Sequence, residues 1–346
     1  MILLREVHKS DLGGLEAFSK LAAEEHPGFL NMTNDREQWK DKIRISRESF
    51  SDKLSNKLEG KYIFVAEDLE QKKIIGMSML TAQHGTSDVP HFYFEVGSEQ
   101  KYSKSINTGF IHGTLKLKYE TNGPTEIGGL LVDSAFRNNE ARVGRQISFI
   151  RFLYMGMNKA KFKKKVLAEL LPPLSKKGKC ALWEALGRRF TNMDYPEADE
   201  LSMKNKEFIL SLFPTGKIYV TFLPAEARNA IGKVSKDTEP VLHMLQKIGF
   251  EYGNQIDPFD GGPHVMANTD EIIPIKKIRY FEYSSKDHDS KSNTETGLIT
   301  KKEKGDQFMA LHCDVKTQNL KIYFKSEIAK YLGLKNGDSV AFMPYY

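Results

Sequence analysis

A chain of 346 residues with 40 % hydrophobic and 28 % charged side chains can build one large domain or two to three smaller ones, and 51 Lys+Arg against 45 Asp+Glu leave a net charge of only +6. That mild positive balance gives no ground for a nucleic-acid binder, and no run of about 18 apolar residues offers a membrane-spanning helix. Cys180 and Cys313 stand far apart without metal-type spacing, which argues against a disulfide framework or a zinc site and fits a reducing cytoplasm.

The opening MILLREVHKSDL has no long apolar run before a small-residue cleavage site, so no signal peptide is expected. ILLREV alternates as a strand. Residues 10–24 follow as a helix that Ser10 or Asp11 can cap, with Leu12, Leu15, Phe18 and Leu21 at helical spacing. Residues 36–54 form a second amphipathic helix, and 62–83 read as two β-rich runs joined by a polar turn. After mixed strand and loop over 84–124, TEIGGLLVD (125–133) reads as a buried strand, 144–158 as a helix and 164–170 as a short strand. Prolines and helical patches fill 172–217, and 240–252 is a helix that ends at Gly249 and enters a strand. Residues 284–297 carry no aliphatic or aromatic side chain and read as a mobile loop or linker, before a tail of strand, helix, NGD turn and strand. The basic runs 159–165 and 175–179 read as solvated faces or as a patch for an anionic coenzyme phosphate. A hairpin mixed with strand–helix–strand crossovers indicates an α/β (α+β) class with a mixed central sheet.

SAFRNNEARVGRQISFIRFLYMG, directly after the buried strand, has the shape of a phosphate-binding loop. A strand that ends before a helix N-terminus presents backbone N–H groups and the positive end of the helix dipole to one point. Arg137, Arg142 and Arg145 can fork onto phosphate oxygens, and Gly144 permits close backbone approach. The alternative is a surface turn with solvated arginines.

The order of elements resembles the GNAT acyltransferase fold: a central strand EIGGLLVD, a coenzyme loop beginning at Arg137, and a late helix ending in Gly249-Phe250. A narrower resemblance is to the arginine N-succinyltransferase family. It is carried by LWEALGRRFTNMDYPEAD (182–199), NKEFILSLFPTGKIYVTFLP (205–224), LPAEARNAIGKV (223–234) and IDPFDGGP (256–263), and it runs over essentially the whole chain. The departure is the loop. The family has an Arg followed by a run of glycines, whereas FRNNEARVGR is two residues longer, keeps only Gly144, and adds Glu140.

The resemblance implies transfer of a succinyl group from succinyl-CoA, a co-substrate and not a bound cofactor, to the α-amine of L-arginine. It implies an acyltransferase domain over 1–283 with insertions at about 84–124 and 172–239, a linker at 284–297 and a small β-rich module at 298–346. Glu126, which opens the central strand, is the expected base, acting through water if burial raises its pKa. Backbone N–H groups of Leu131 and Val132 are expected to hold the oxyanion and pantetheine, and Arg137, Arg142, Gly144 and Arg145 the pyrophosphate. Asp194, Glu197, Asp199, Asp257 and Asp260 are the carboxylates available to a guanidinium, though Asp194 also suits a helix cap and Asp260 a turn. His112 reads as an edge histidine and Trp183 as core. Leu245 stands where many relatives place an acidic Tyr, so the general acid stays unassigned. No metal, membrane or nucleic-acid partner is expected, and the family suggests a homodimer or a heterodimer of related subunits. The competing readings are a non-catalytic or drifted subunit with impaired CoA binding, and a relative using ornithine or another acyl-CoA.

Overall fold

The structure is a computed structural model that describes residues 1–25, 35–137, 140–174, 179–285, 293–302 and 307–345. Its strands are β1 (Ile2–Glu6), β2 (Lys61–Asp68), β3 (Lys73–Thr81), β4 (His91–Ser103), β5 (Thr108–Glu120), β6 (Thr125–Val132), β7 (Lys165–Glu169), β8 (Ile218–Tyr219), β9 (Glu251–Ile256), β10 (Pro263–Asn268), β11 (Arg279–Tyr283), β12 (Asn293–Lys301), β13 (Met309–Gln318), β14 (Lys321–Tyr323) and β15 (Ser339–Pro344). The helices are α1 (Leu12–Glu25), α2 (Arg36–Phe50), α3 (Val143–Met157), α4 (Ala181–Ala185), α5 (Gly187–Thr191), α6 (Tyr195–Lys204), α7 (Glu207–Leu212), α8 (Ala225–Ala230), α9 (Glu239–Lys247), α10 (Ile273–Lys276) and α11 (Ser326–Tyr331).

The central sheet runs β1-β2-β3-β6-β7-β10-β9, and β4, β5 and β8 continue it beyond β9. Its neighbours pair antiparallel except β6 and β7, which are parallel. Alternation along the strands decides which helix each face takes. On β2, Tyr62, Phe64 and Ala66 pack with α3, while Ile63 and Val65 pack with α1 and α2. In α1 the buried stripe is Leu15, Phe18 and Ala22, and Leu21 turns outward. The region 84–124 is mainly the long β4–β5 hairpin, which packs with α4 to α8 around Trp183, Phe213 and Phe259.

The C-terminal strands are organised differently from the sequence expectation. β12, β15, β11, β14 and β13 pair in succession and β13 returns to β12, closing a small barrel. Its core is Phe281, Tyr283, Leu311, Ile322, Val340 and Phe342. The unit therefore begins at β11, before residue 284, and residues 293–297 of the expected linker are part of β12. The apolar Phe281 and Tyr283 explain the earlier start, and the polar run NTETG forms a ladder with β13 in place of a loop. β13 also pairs with β1, so the barrel is hydrogen-bonded to the first strand. The rest of the expected linker, 286–292, and most of the basic run 175–179 lie outside the described residues.

Candidate active site

The parallel pair β6–β7 is opened by a bulge. The two strands pair at Thr125–Val166 and Glu126–Leu167 and not beyond. There the register of β6 on β3 slips between Met77 and Met79, and Gly129 takes φ +56°. A Cβ on Gly129 would lie 2.7 Å from Met79 Cγ, so both backbone and packing demand glycine. Arg151, buried in α3, donates to Gly128 O at 3.1 Å and to Ser148 O at 3.0 Å, fixing the bulge from behind. Asp133 N–H donates to Ile75 O, so alternation turns Leu131 N–H toward β3 and Val132 N–H toward the open side. Of the two expected backbone donors, only Val132 faces the wedge.

The carboxylates and imidazoles beside this wedge come from one sheet face. Ile127, Val166, Ala168, Val265 and Ala267 point to α3, so Glu126, Glu169 and His264 project from the opposite side. His264 stands directly across from Glu169 on the β7–β10 ladder. His91 opens β4, and His84 comes from the β3–β4 connection, where its N–H donates to Pro124 O at 2.7 Å. His84 Nδ1 meets Glu126 Oε2 at 2.9 Å. Three imidazole nitrogens, His84 Nε2, His91 Nδ1 and His264 Nε2, each lie 3.6 Å from Glu169 Oε1.

Burial opposes every charge here. It would push Glu126 up, but the field and hydrogen bond of His84 hold it below the ordinary carboxylate range. Burial lowers His84, yet Glu126 and Glu169 outweigh it and raise its pKa. Glu126 and His84 thus form an ion pair at the mouth of the strand opening. Burial and the neighbouring Glu126 lift Glu169 to about 7. His264 is driven down to about 3 and His91 lower still, by burial and the charge on His84, so both are neutral at pH 7.

A second group of carboxylates adjoins the first. In the turn between β9 and β10, Asp257 Oδ1 accepts from Phe259 N–H at 2.7 Å and Asp260 N–H at 3.0 Å, and Asp260 Oδ1 accepts from Gly262 N–H at 2.7 Å. Both therefore hold the turn, and burial raises both pKa values. Asp199 on α6 lies near Asp257, and burial with that neighbour lifts it to about 7. The phenol of Tyr195 sits within the field of Asp199, Asp257 and Asp260. Lys206, at the start of α7, supplies positive potential to Glu126, Glu169, Asp199 and Asp257.

The motif blocks of the sequence meet here. Trp183 stacks on Phe259 of the acidic turn, with centroids 5.1 Å apart and planes 8° apart, and its indole N–H donates to Met193 O at 2.9 Å. The buried Cys180 thiol donates to Asp260 O at 3.2 Å. Gly187 lies against the indole, where a Cβ would be 2.2 Å from Trp183 Cε3.

Asp194 and Glu197 are not part of the cluster. Asp194 occupies the cap position of α6 but its carboxylate is exposed and paired with Arg188, and Glu197 is exposed on the outer face of α6. Helical spacing explains the difference: Tyr195, Ala198, Asp199 and Ser202 share the inward face. His112 is a half-buried edge histidine, its Nδ1 3.2 Å from Thr221 Oγ1. In the loop, Arg137 Nε donates to Val132 O at 2.9 Å, and Arg145 stacks on Tyr345, 4.5 Å from its centroid. Arg142 is exposed in the left-handed region (φ +48°) at the N-terminus of α3, and Gly144 has room for a Cβ. Asn138 and Asn139 lie outside the described residues. Sequence reasoning missed Glu169, His84, His91 and His264. Two of them left a signal: a carboxylate closing the apolar run KVLAE, and a histidine inside the strand PHVMAN.

A mixed sheet with one opened parallel pair, a helix starting just past the bulged strand, and buried acid–base groups at the opening accord with an N-acyltransferase. A family model described as "Arginine N-succinyltransferase beta subunit" matches residues 2–274, and the chain belongs to the arginine N-succinyltransferase family. The chain is 30 % identical to an arginine N-succinyltransferase of Yersinia pseudotuberculosis, covering 98 % of this chain and 97 % of that protein. It is 32 % identical to one of Salmonella arizonae over 82 % and 80 %. The structure superposes on the arginine/ornithine succinyltransferase subunit AI of Pseudomonas aeruginosa with a TM-score of 0.83 and 26 % identity, over 99 % of this chain and 98 % of that one. Among the described residues no helix is long and apolar enough to cross a membrane.

Proposed function

We propose that this protein transfers a succinyl group from succinyl-CoA to the α-amine of L-arginine. The observation that carries the reading is the convergence of an ionised base pair, Glu126–His84, with the buried carboxylates Asp199, Asp257 and Asp260 beside the opened strands. A guanidinium has five donors in a rigid fork, and a group of buried carboxylates is its natural counterpart. The carboxylate of Glu126, kept ionised and oriented by His84, takes a proton from the α-ammonium, directly or through water. The freed nitrogen attacks the thioester carbonyl, Val132 N–H supports the oxyanion, the nitrogen passes its second proton to water, and the C–S bond breaks to release CoA thiolate. That thiolate is a good enough leaving group to depart without a dedicated acid. Leu245 is buried and apolar and His243 is exposed, so neither is assigned one. Lys206 is suited to the α-carboxylate of the amino acid by its field over the same groups.

On this reading the coenzyme pyrophosphate meets the N-terminus of α3, with Arg142 as its exposed cation and Arg137 bracing the strand end. The test is thiol release from purified protein with L-arginine, L-ornithine and L-lysine against succinyl-CoA and acetyl-CoA, alongside calorimetry of CoA binding. Release that needs both L-arginine and succinyl-CoA supports the proposal. Preference for ornithine would move the substrate assignment, and silence without CoA binding would favour a drifted subunit.

A further inference from the structure

The three histidines around Glu169 are not needed for the acyl transfer just described, apart from the contact of His84 with Glu126, and their geometry is unusual for a protein interior. His264 is fully buried, and among the described residues neither of its ring nitrogens has a hydrogen-bond partner. His91 is 2 % exposed and its Nε2 is likewise unpartnered. Buried polar atoms without partners number only a few in a native domain, because each forfeits the hydrogen bonds it made to water. Of these three nitrogens, His264 Nε2 faces Glu169, and a group bound between them would satisfy it.

The distances name the kind of group. Each of His84 Nε2, His91 Nδ1 and His264 Nε2 is 3.6 Å from Glu169 Oε1, too long for a hydrogen bond. Ligand atoms bound at about 2.0–2.2 Å to a tetrahedral ion stand about 3.3–3.6 Å apart, so each nitrogen's separation from Glu169 Oε1 is already that of two ligands sharing an ion. The ligand atoms of His84, His91 and Glu169 already lie within 4.8 Å of one another, as do those of Glu169, Asp257 and His264. Glu169 belongs to both triads, and closing them on one ion draws His264 toward the other two imidazoles.

The surroundings fit as well. His84 presents Nδ1–H to Glu126 at 2.9 Å, so a metal ion bound at Nε2, which faces Glu169, would displace only the Nε2 proton of the imidazolium and leave the contact with Glu126 in place. A carboxylate behind a ligating imidazole is the usual outer support of such a centre. His91 and His264 are neutral, the state in which imidazole ligates. The ligands come from the β3–β4 connection, β4, β7 and β10, elements fixed by the sheet, so the site does not depend on local spacing of the kind that zinc fingers show.

We infer that His84, His91, His264 and Glu169 form a binding site for one divalent transition-metal ion of the zinc type, beside the acyl-transfer groups. Imidazole nitrogen with a single carboxylate suits Zn²⁺ and its neighbours Co²⁺, Ni²⁺ and Cu²⁺ far better than Mg²⁺ or Ca²⁺, which take oxygen ligands. The bound ion would hold His84 in the orientation that supports Glu126. The inference does not rest on the proposed substrates, because its readout is binding.

The experiment uses the full chain, stripped with chelator and dialysed. Co²⁺ is titrated as an optical probe, Zn²⁺ competes with it, and the retained metal is counted per chain. The site predicts one ion per chain with a Kd below about 1 µM, visible d–d bands of a four- or five-coordinate Co²⁺ centre, and displacement by Zn²⁺ but not by Mg²⁺. His91→Gln and His264→Gln each weaken binding at least about 100-fold, while His112→Gln leaves it unchanged. X-ray absorption of the zinc-loaded wild type should show two or more imidazole ligands, which decides the matter even where a variant fails to fold. Absence of a retained ion, fewer than two imidazoles, or undiminished binding in a His84→Gln/His264→Gln double variant would overturn the site.

Discussion

Asp199→Asn should make the protein more stable and worse at binding arginine, a combination that only a functional carboxylate produces. Burial beside Asp257 moves the Asp199 carboxyl from 3.8 to about 7, equivalent to roughly 4 kcal/mol against the ionised form. An acid whose folded pKa is raised binds its proton more tightly when folded. Its contribution to stability is therefore full below the unfolded value near 4 and is lost as pH rises toward 7. At pH 8 the wild type carries that whole penalty and the amide carries none, so denaturant unfolding should find the variant more stable by about 2–4 kcal/mol, with no gain at pH 4. Losing one charge-assisted contact to the guanidinium costs about 1.5–3 kcal/mol, so the KM for arginine should rise roughly 10- to 150-fold while kcat changes little. Arginine binding by the wild type near pH 6.5 should release protons, seen by calorimetry in buffers of different ionisation enthalpy. A variant that is less stable at pH 8, or that keeps the wild-type KM, would refute the placement of Asp199 at the substrate.

Three further changes probe the supports of the site. Gly187→Ala drives a Cβ into the Trp183 ring and through it into Phe259 and the acidic turn. It should cost about 1–3 kcal/mol and weaken arginine binding more than CoA binding, as separate calorimetric titrations would show. Gly129→Ala meets a positive φ and Met79 together, and should reduce kcat/KM for both substrates without changing the secondary-structure content seen by far-UV circular dichroism. Asp11→Ala leaves the buried Arg5 guanidinium with Glu67 and the Glu6 carbonyl, after losing contacts of 2.7 and 2.9 Å, and should cost about 3–5 kcal/mol. Although burial opposes it, Arg5 holds the Asp11 carboxyl below its usual range, so this stability is present above pH 4 and disappears as acid brings the pH down through the folded pKa. A variant whose acid unfolding midpoint matches the wild type would contradict that role.

How much of this was legible in the sequence depends on the range over which each feature is encoded. Periodicity located the strands around Phe64 and Ile127 and the helix from Val143, because a side chain's face is set by its immediate neighbours. Glu126 was legible because it opens a strand whose apolar pattern is unmistakable. Asp257 and Asp260 were legible as a turn, and their carboxylates hold it. Asp194 and Glu197 were misplaced although the spacing of Tyr195, Ala198, Asp199 and Ser202 already set the inward face of their helix. The histidine group was not legible, because its members come from the β3–β4 connection and from strands β4, β7 and β10, and no local pattern links them. The barrel was half legible: its strands were expected, but its start at β11 and its closure through β12 and β13 are long-range pairings.

The central claim is that Glu126, held ionised by His84, removes the proton of the attacking amine. The measurement is thiol release from succinyl-CoA with saturating L-arginine by the wild type and by Glu126→Gln, with thermal melts to show that both are folded. A fall in kcat of at least about 100-fold with an almost unchanged KM for arginine is the predicted result. A folded Glu126→Gln protein that turns over at the wild-type rate would contradict the account.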